Sequence, residues 1–187
     1  MGDGRRRLLR NLWASLAVLA TVAVIGIGLP AINALLPAAR PVSASEAYEV
    51  AAGVSLRPPI GARVDVSRTA PGPHEGALLL LLGSVRYAVV ITPYRGSLGG
   101  AAARLRAKIE LISGARVVGG ETSVATSQGV AGRAGTYASP NRVGRYAVFV
   151  ADGLAVEVTA AGPVADFRAA LPAVLASTRS LSFRSAS

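Results

Sequence analysis

The chain has 187 residues, of which 51% are apolar and only 16% are charged, and this balance excludes an intrinsically disordered protein. It contains no cysteine, which excludes disulfide frameworks, thiolate metal sites, cysteine nucleophiles and a lipoprotein anchor cysteine. A single histidine leaves little acid–base chemistry near neutral pH, and the formal net charge of +10 favours anionic partners.

The N-terminal region contains an apolar segment that predicts a transmembrane helix or signal anchor at residues 12–36. No charged residue occurs from position 11 to position 39, and about 20 apolar residues suffice to cross a bilayer as a helix. The segment follows a cluster of four arginines, Arg5, Arg6, Arg7 and Arg10. By the positive-inside rule, residues 1–11 are cytoplasmic and the chain after the segment lies outside the cell membrane.

Cleavage of this segment as a signal peptide is the alternative, because Val42-Ser43-Ala44 has the small residues that signal peptidase accepts. Cleavage near Ala44 would release a secreted soluble protein. We favour the uncleaved anchor, since the apolar run is longer than the roughly 7–15 residues of a typical signal-peptide core. The arginines also resemble a twin-arginine signal, although an ordinary basic flank is the simpler explanation.

A short linker and the first strands follow the apolar segment. Residues 37–47 are rich in proline, alanine and serine and predict a linker, before an exported domain at 48–184 and a tail at 185–187. Strands are predicted at 49–56 and 62–68. Gly83-Ser84 separates two further apolar runs and predicts a hairpin.

Two amphipathic helices are predicted in the rest of the domain. Apolar residues recur at helical spacing from Leu98 to Ile112, with Ser97 able to cap the start of the helix and Gly114 its end. The second helix begins at Gly162-Pro163, and Pro172 predicts a kink or a break in it.

Extended segments lie between and after the helices. They are predicted at 115–120, 121–130 and 132–138, followed by a turn at 139–141. Asp152-Gly153 predicts a hairpin with a type I′ turn. Residues 180–183 are predicted to close the sheet as an edge strand. The fold class is therefore α+β, an antiparallel sheet with two packed helices.

This order of elements resembles a known family of exported domains. Pro58-Pro59-Ile60-Gly61 follows the first strand, Gly162-Pro163 precedes the last helix, and Ser180-Leu181-Ser182-Phe183 ends the domain. In these features the chain looks like the PsbP-like sandwich domains of actinobacterial membrane proteins and lipoproteins, over roughly residues 48–183. The excess of arginine over lysine is similar to the usage of GC-rich genomes. The resemblance implies a non-enzymatic accessory or ligand-binding module and carries over no catalytic residue.

The candidates for catalysis are few, and we assign no catalytic, cofactor-binding or metal-binding residue. His74 lies in a proline- and glycine-rich loop, where an exposed side chain is expected. Asp152 with Glu157 is the nearest acidic pair outside the linker, and the turn already explains Asp152. Gly96 to Gly100 lacks the Lys-Ser/Thr of a phosphate loop and reads as a helix cap.

Basic residues provide the remaining functional indication. After Arg40 the chain has 15 lysines and arginines against 9 acidic residues, a balance of 15 − 9 = +6. Export removes nucleic acid as a partner, so anionic lipid, wall polymers or another envelope protein are the partners expected. Arg104 and Lys108 lie four apart on one helix face, off its apolar stripe. They are therefore a candidate anionic-surface contact, and replacing them should leave stability nearly unchanged.

The sequence thus predicts a membrane-anchored, non-catalytic binding or interaction module of the cell envelope. An envelope hydrolase or transferase that uses only carboxylates and arginines is the alternative. Such an enzyme would require two acidic side chains that converge in a cleft.

Overall fold

The structure is a computed structural model that describes residues 39–51, 53–112 and 114–184. The predicted transmembrane segment at 12–36 and its arginine flank lie outside these residues. Within them, no helix combines the length and the apolar character needed to span a bilayer.

The elements within the described residues are two helices and short to medium strands. In chain order they are β1 (Ala39–Pro41), β2 (Tyr48–Ala51), β3 (Val54–Leu56), β4 (Arg63–Asp65), β5 (Gly76–Leu82), β6 (Val85–Pro93), α1 (Leu98–Glu110), β7 (Arg116–Ala125), β8 (Ala131–Ser139), β9 (Arg142–Ala151), β10 (Leu154–Gly162), α2 (Val164–Arg179) and β11 (Ser182–Phe183).

These strands form two antiparallel sheets. The larger sheet has eight strands in the order β1-β4-β5-β6-β10-β9-β8-β7, and the smaller has the order β11-β3-β2. The β5–β6 and β9–β10 hairpins meet at the centre, where β6 pairs with β10. The prediction of an α+β fold with an antiparallel sheet and two helices is confirmed.

The two helices pack against opposite faces of the larger sheet. Side chains alternate along β9, so Tyr146 and Val148 belong to the cluster under α1. Phe149 belongs instead to the main core, which α2 and the smaller sheet cover. The main core is rich in fully buried residues such as Leu80 and Ile91 from β5 and β6. A strand with two buried faces explains why the apolar runs of the central hairpins are nearly continuous.

Local turn signals are confirmed by the backbone. Asp152 has a φ of 51° and Gly153 a φ of 74°, as a type I′ turn between β9 and β10 requires. Gly83 has a φ of 58° in the β5–β6 turn. The predicted strand at 49–56 is in fact the hairpin β2–β3, which turns at Gly53 with a φ of 82°.

The ends of the domain differ from the prediction. Ala39–Pro41, which the sequence places in the linker, forms β1 and pairs with β4. At the other end, β11 pairs with β3 in the smaller sheet and does not close the larger one. The sequence pattern identified β11 as a strand but did not identify its partner.

Both helices also differ in detail. α1 ends at Glu110, so Ile112 lies beyond the helix and is 58% exposed instead of completing the buried stripe. The Ser97 side chain caps the helix by accepting a hydrogen bond of 3.1 Å from the Gly100 N–H. α2 continues through Pro172 without a break, although proline has no N–H to donate to the carbonyl of Arg168.

Candidate functional site

A cavity of about 350 Å³ lies between the C-terminal half of α2 and the β7–β10 part of the larger sheet. Its wall is mainly apolar and includes Phe149 of β9, Val158 of β10 and Val174 of α2. The sheet leaves this space because short side chains are adjacent across its strands: Ala134 of β8 pairs with Ala147 of β9, which pairs with Val158. Larger side chains at these positions would fill the volume.

Two arginines line the same cavity. Arg145 of β9 is half-buried and Arg179, in the last turn of α2, is exposed. Among the residues that the structure describes, no carboxylate lies within 4.0 Å of either guanidinium group. The lining therefore combines an apolar wall with two positive charges and, in the described part of the chain, contains no acidic residue.

Two hydroxyl groups near the cavity, those of Thr178 and Tyr87, form hydrogen bonds within the fold. The Thr178 Oγ1 donates a hydrogen bond of 2.8 Å to the Val174 carbonyl, within α2. The Tyr87 hydroxyl lies 3.1 Å from the same Oγ1 and donates to it. Burial raises the pKa of Tyr87, so this phenol stays protonated at neutral pH. Thr178 is thereby held in a structural contact between α2 and β6.

On the opposite face of the sheet, α1 lies over a buried carboxylate. Glu157 of β10 is only 5% exposed and accepts hydrogen bonds from Arg104 Nη2 at 3.0 Å and from Lys108 Nζ at 2.7 and 2.9 Å. The Arg104 guanidinium also lies 5.0 Å from the centre of the Tyr94 ring. One buried negative charge is thus bound by two cations from successive turns of the helix.

A second carboxylate binds the other side of α1. Glu121 of β7 lies 3.5 Å from Arg106 Nε and 3.4 Å from Arg133 Nη1. It also accepts a hydrogen bond of 3.0 Å from the Tyr146 hydroxyl. Burial and this hydrogen bond to the carboxylate raise the pKa of Tyr146 to about 12. Glu121 and Glu157 therefore hold α1 from two strands of the sheet.

The contacts with Glu157 change the interpretation of Arg104 and Lys108 as a candidate anionic-surface contact. Arg104 and Lys108 lie off the apolar stripe as expected, and their side chains are 39% and 49% exposed. Their charged groups, however, turn toward Glu157, so neither cation is free of a partner. The sequence predicts that their replacement leaves stability nearly unchanged, whereas these contacts lead us to expect a loss of stability, because replacement would leave a buried carboxylate without its cations.

The other sequence candidates remain apart. His74 is exposed in the loop before β5, and Asp152 occupies its turn. In the part of the chain that the structure describes, no three side chains of the metal-ligating types come together. The topology residues Arg5, Arg6, Arg7 and Arg10 lie outside that part.

Two residues of these sites, Glu157 and Arg145, stand out in the sequence although the patterns above do not assign them a role. Glu157 is an acid inside the apolar strand Leu154–Gly162, and a charge in such a strand needs a buried partner. Arg145 lies two residues before Ala147 and four before Phe149 on β9, so its side chain lies on the same face of the strand as these core residues. Neither pattern names the partner or the cavity, which only the packing reveals.

The arrangement of one helix on each face of a large antiparallel sheet, with a small second sheet, defines a PsbP-like α+β fold. Among solved structures, the chain is similar to cyanobacterial PsbP (CyanoP) from Synechocystis sp. PCC 6803. The TM-score is 0.54 and the sequence identity 11%, over 74% of this chain and 91% of that chain. No family model and no curated protein matches the chain. The similarity to the cyanobacterial protein establishes the fold.

Proposed function

We propose that this chain is a single-pass membrane protein that holds a non-catalytic binding module on the outer side of the cell membrane. The observation that carries the binding function is the cavity between α2 and the larger sheet. Its volume of about 350 Å³ lies within the range of roughly 300–1,000 Å³ in which small-molecule sites fall.

The chemistry of the cavity favours recognition over reaction. General acid–base catalysis needs a titratable side chain within hydrogen-bond reach of the substrate. In the described residues, the only charged groups of the lining are the guanidinium groups of Arg145 and Arg179, and the Tyr146 hydroxyl donates its hydrogen bond to Glu121. The nearby hydroxyl of Thr178 is occupied by its contact with the Val174 carbonyl.

The sequence supports the location. The uncharged segment at 12–36 is long enough to span a bilayer, and the four preceding arginines favour a cytoplasmic N-terminus. The excess of arginine over lysine supports an actinobacterial source.

Because the chain has no cysteine, single introduced thiols can test its location. Asn141→Cys places a thiol at the exposed β8–β9 turn, and Gly4→Cys is the matched variant in the N-terminal region. In intact cells, a membrane-impermeant maleimide should label the Asn141→Cys protein but not the Gly4→Cys protein. Both should react after permeabilisation.

Each other pattern of labelling has a definite meaning. Labelling of both variants only after permeabilisation would overturn the extracytoplasmic location. If the mass of the mature protein corresponds to a chain that begins near Ala44, the protein is secreted and not anchored. A full-length mass with outside labelling of the domain supports the proposal as stated.

A further inference from the structure

We infer that the cavity under α2 binds the acyl chain of an anionic single-chain amphiphile, with the anionic head group held by Arg145 and Arg179. This inference rests on the proposed binding function and names the class of ligand. The apolar wall would take the hydrocarbon chain, and the two guanidinium groups would bind a carboxylate or phosphate.

The volume of the cavity determines the length of the acyl chain that it can bind. At about 30 Å³ for each water-sized group, a cavity of 350 Å³ holds about a dozen such groups. A methylene group has nearly the volume of a water molecule, so an acyl chain of about 12 carbons fits. Phe149, Val158 and Val174 provide the apolar contacts along this chain.

The two positive charges at the cavity determine that the head group of the ligand is anionic. Arg145 and Arg179 lie on the same cavity, and within the described residues no carboxylate neutralises either of them. Most arginines in the described residues likewise have no carboxylate partner, and what distinguishes these two is that both line an apolar cavity. An anion at the cavity would supply the missing negative charge, and guanidinium groups bind carboxylates and phosphates through paired hydrogen bonds.

The position of the arginines fits an amphiphile rather than a fully enclosed ligand. Arg179 is exposed, so its part of the lining reaches solvent, whereas Phe149 and Ala134 are buried at about 1% exposure. A ligand with one polar end and one apolar end therefore has a place for each. A free fatty acid and a lysophospholipid share this chemistry.

The experiment uses the full-length chain in phosphatidylcholine nanodiscs. Val124→Cys, at the half-buried edge of the cavity, carries an environment-sensitive fluorophore on the only thiol of the chain. Laurate and a 12-carbon lysophosphatidic acid are titrated below their micellar concentrations, with dodecanol as the neutral ligand and acetate as the head group without a chain. The structure predicts saturable binding of at least one anionic amphiphile, at least tenfold weaker binding of dodecanol and none of acetate.

Three variants test the assignment. Arg145→Gln and Arg179→Gln should each weaken binding of the anionic amphiphile about tenfold without changing that of dodecanol. Arg168→Gln is the matched control, because Arg168 is exposed on α2 and does not line the cavity. Ala134→Leu adds three carbon atoms inside the cavity, about a quarter of the groups that it holds, and should weaken binding of both long-chain ligands about tenfold while the melting temperature stays within a few degrees.

The outcomes separate the two proposals. Preference for laurate identifies a fatty acid as the ligand, and preference for the lysophospholipid identifies that lipid; both support the inference. Equal binding of dodecanol, unchanged affinity in the arginine variants, or unchanged binding by Ala134→Leu would overturn it. None of these results alters the maleimide labelling, which alone decides the location of the domain.

Discussion

Removal of the cations around Glu157 should destabilise the domain far more than their surface positions suggest. Lys108→Met removes contacts at 2.7 and 2.9 Å but leaves Arg104 in place. Hydrogen bonds to charged groups contribute about 1.5–3 kcal/mol, and half-exposure of the lysine favours the lower end of this range. We therefore expect a loss of about 1.5 kcal/mol in the free energy of unfolding for this single variant.

The double variant Arg104→Met/Lys108→Met should cost about 3–5 kcal/mol, because it leaves a carboxylate that is 5% exposed without a cation. Adding Glu157→Leu should recover most of this loss, since an apolar side chain of similar size needs no partner. Arg86→Met is the matched control: Arg86 is exposed on the same face of the sheet, and its loss should change stability by less than about 0.5 kcal/mol.

Pulse proteolysis of the full-length protein across a urea series gives these free energies without separating the domain from the rest of the chain. A double variant as stable as Arg86→Met would refute the conclusion that Glu157 depends on its cations. A triple variant no more stable than the double would show that packing of the two long side chains, and not charge, provides the stability.

Three further predictions can be checked by the same measurement. Ser97→Ala should cost about 1 kcal/mol through loss of the α1 cap, and Ser97→Gly only a few tenths. Gly132→Ala should cost more than about 2 kcal/mol, since the added Cβ would lie 2.5 Å from a phenyl ring, whereas Gly120→Ala meets no atom within 4 Å and should be nearly neutral. With a pKa of about 12, protonated Tyr146 contributes stability that is present below pH 10 and is lost as the pH rises toward 12, so Tyr146→Phe should flatten the pH dependence in that range.

The parts of the fold that the sequence predicts are those with local causes. Asp152-Gly153 and Gly83-Ser84 identify their hairpins because their backbone conformations exclude most other residues. The stripe from Leu98 to Ile109 identifies α1 because one helix face repeats every three to four residues. Each of these signals lies within a short window of the chain.

The remaining features depend on which segments meet. β11 has a strand-like sequence, but its partner β3 lies near the other end of the domain, so no local pattern identifies the pairing. The cavity likewise combines short side chains from strands that are neighbours only in the sheet. For Arg104 and Lys108, the helical spacing predicts the correct helix face but not the contact with Glu157, because Glu157 lies in the β9–β10 hairpin, far away in the chain.

The pairing of β6 with β10 has a consequence for folding kinetics. Val89 pairs with Val158, although α1 and three strands lie between them in the chain. During synthesis from the N-terminus, β4, β5 and β6 can associate early, but the apolar edge of β6 remains unpaired until β10 is made. Long-range pairings of this kind slow folding, and an unpaired apolar edge promotes association between chains. The nascent half-sheet is therefore the stage at which this protein is most vulnerable to aggregation.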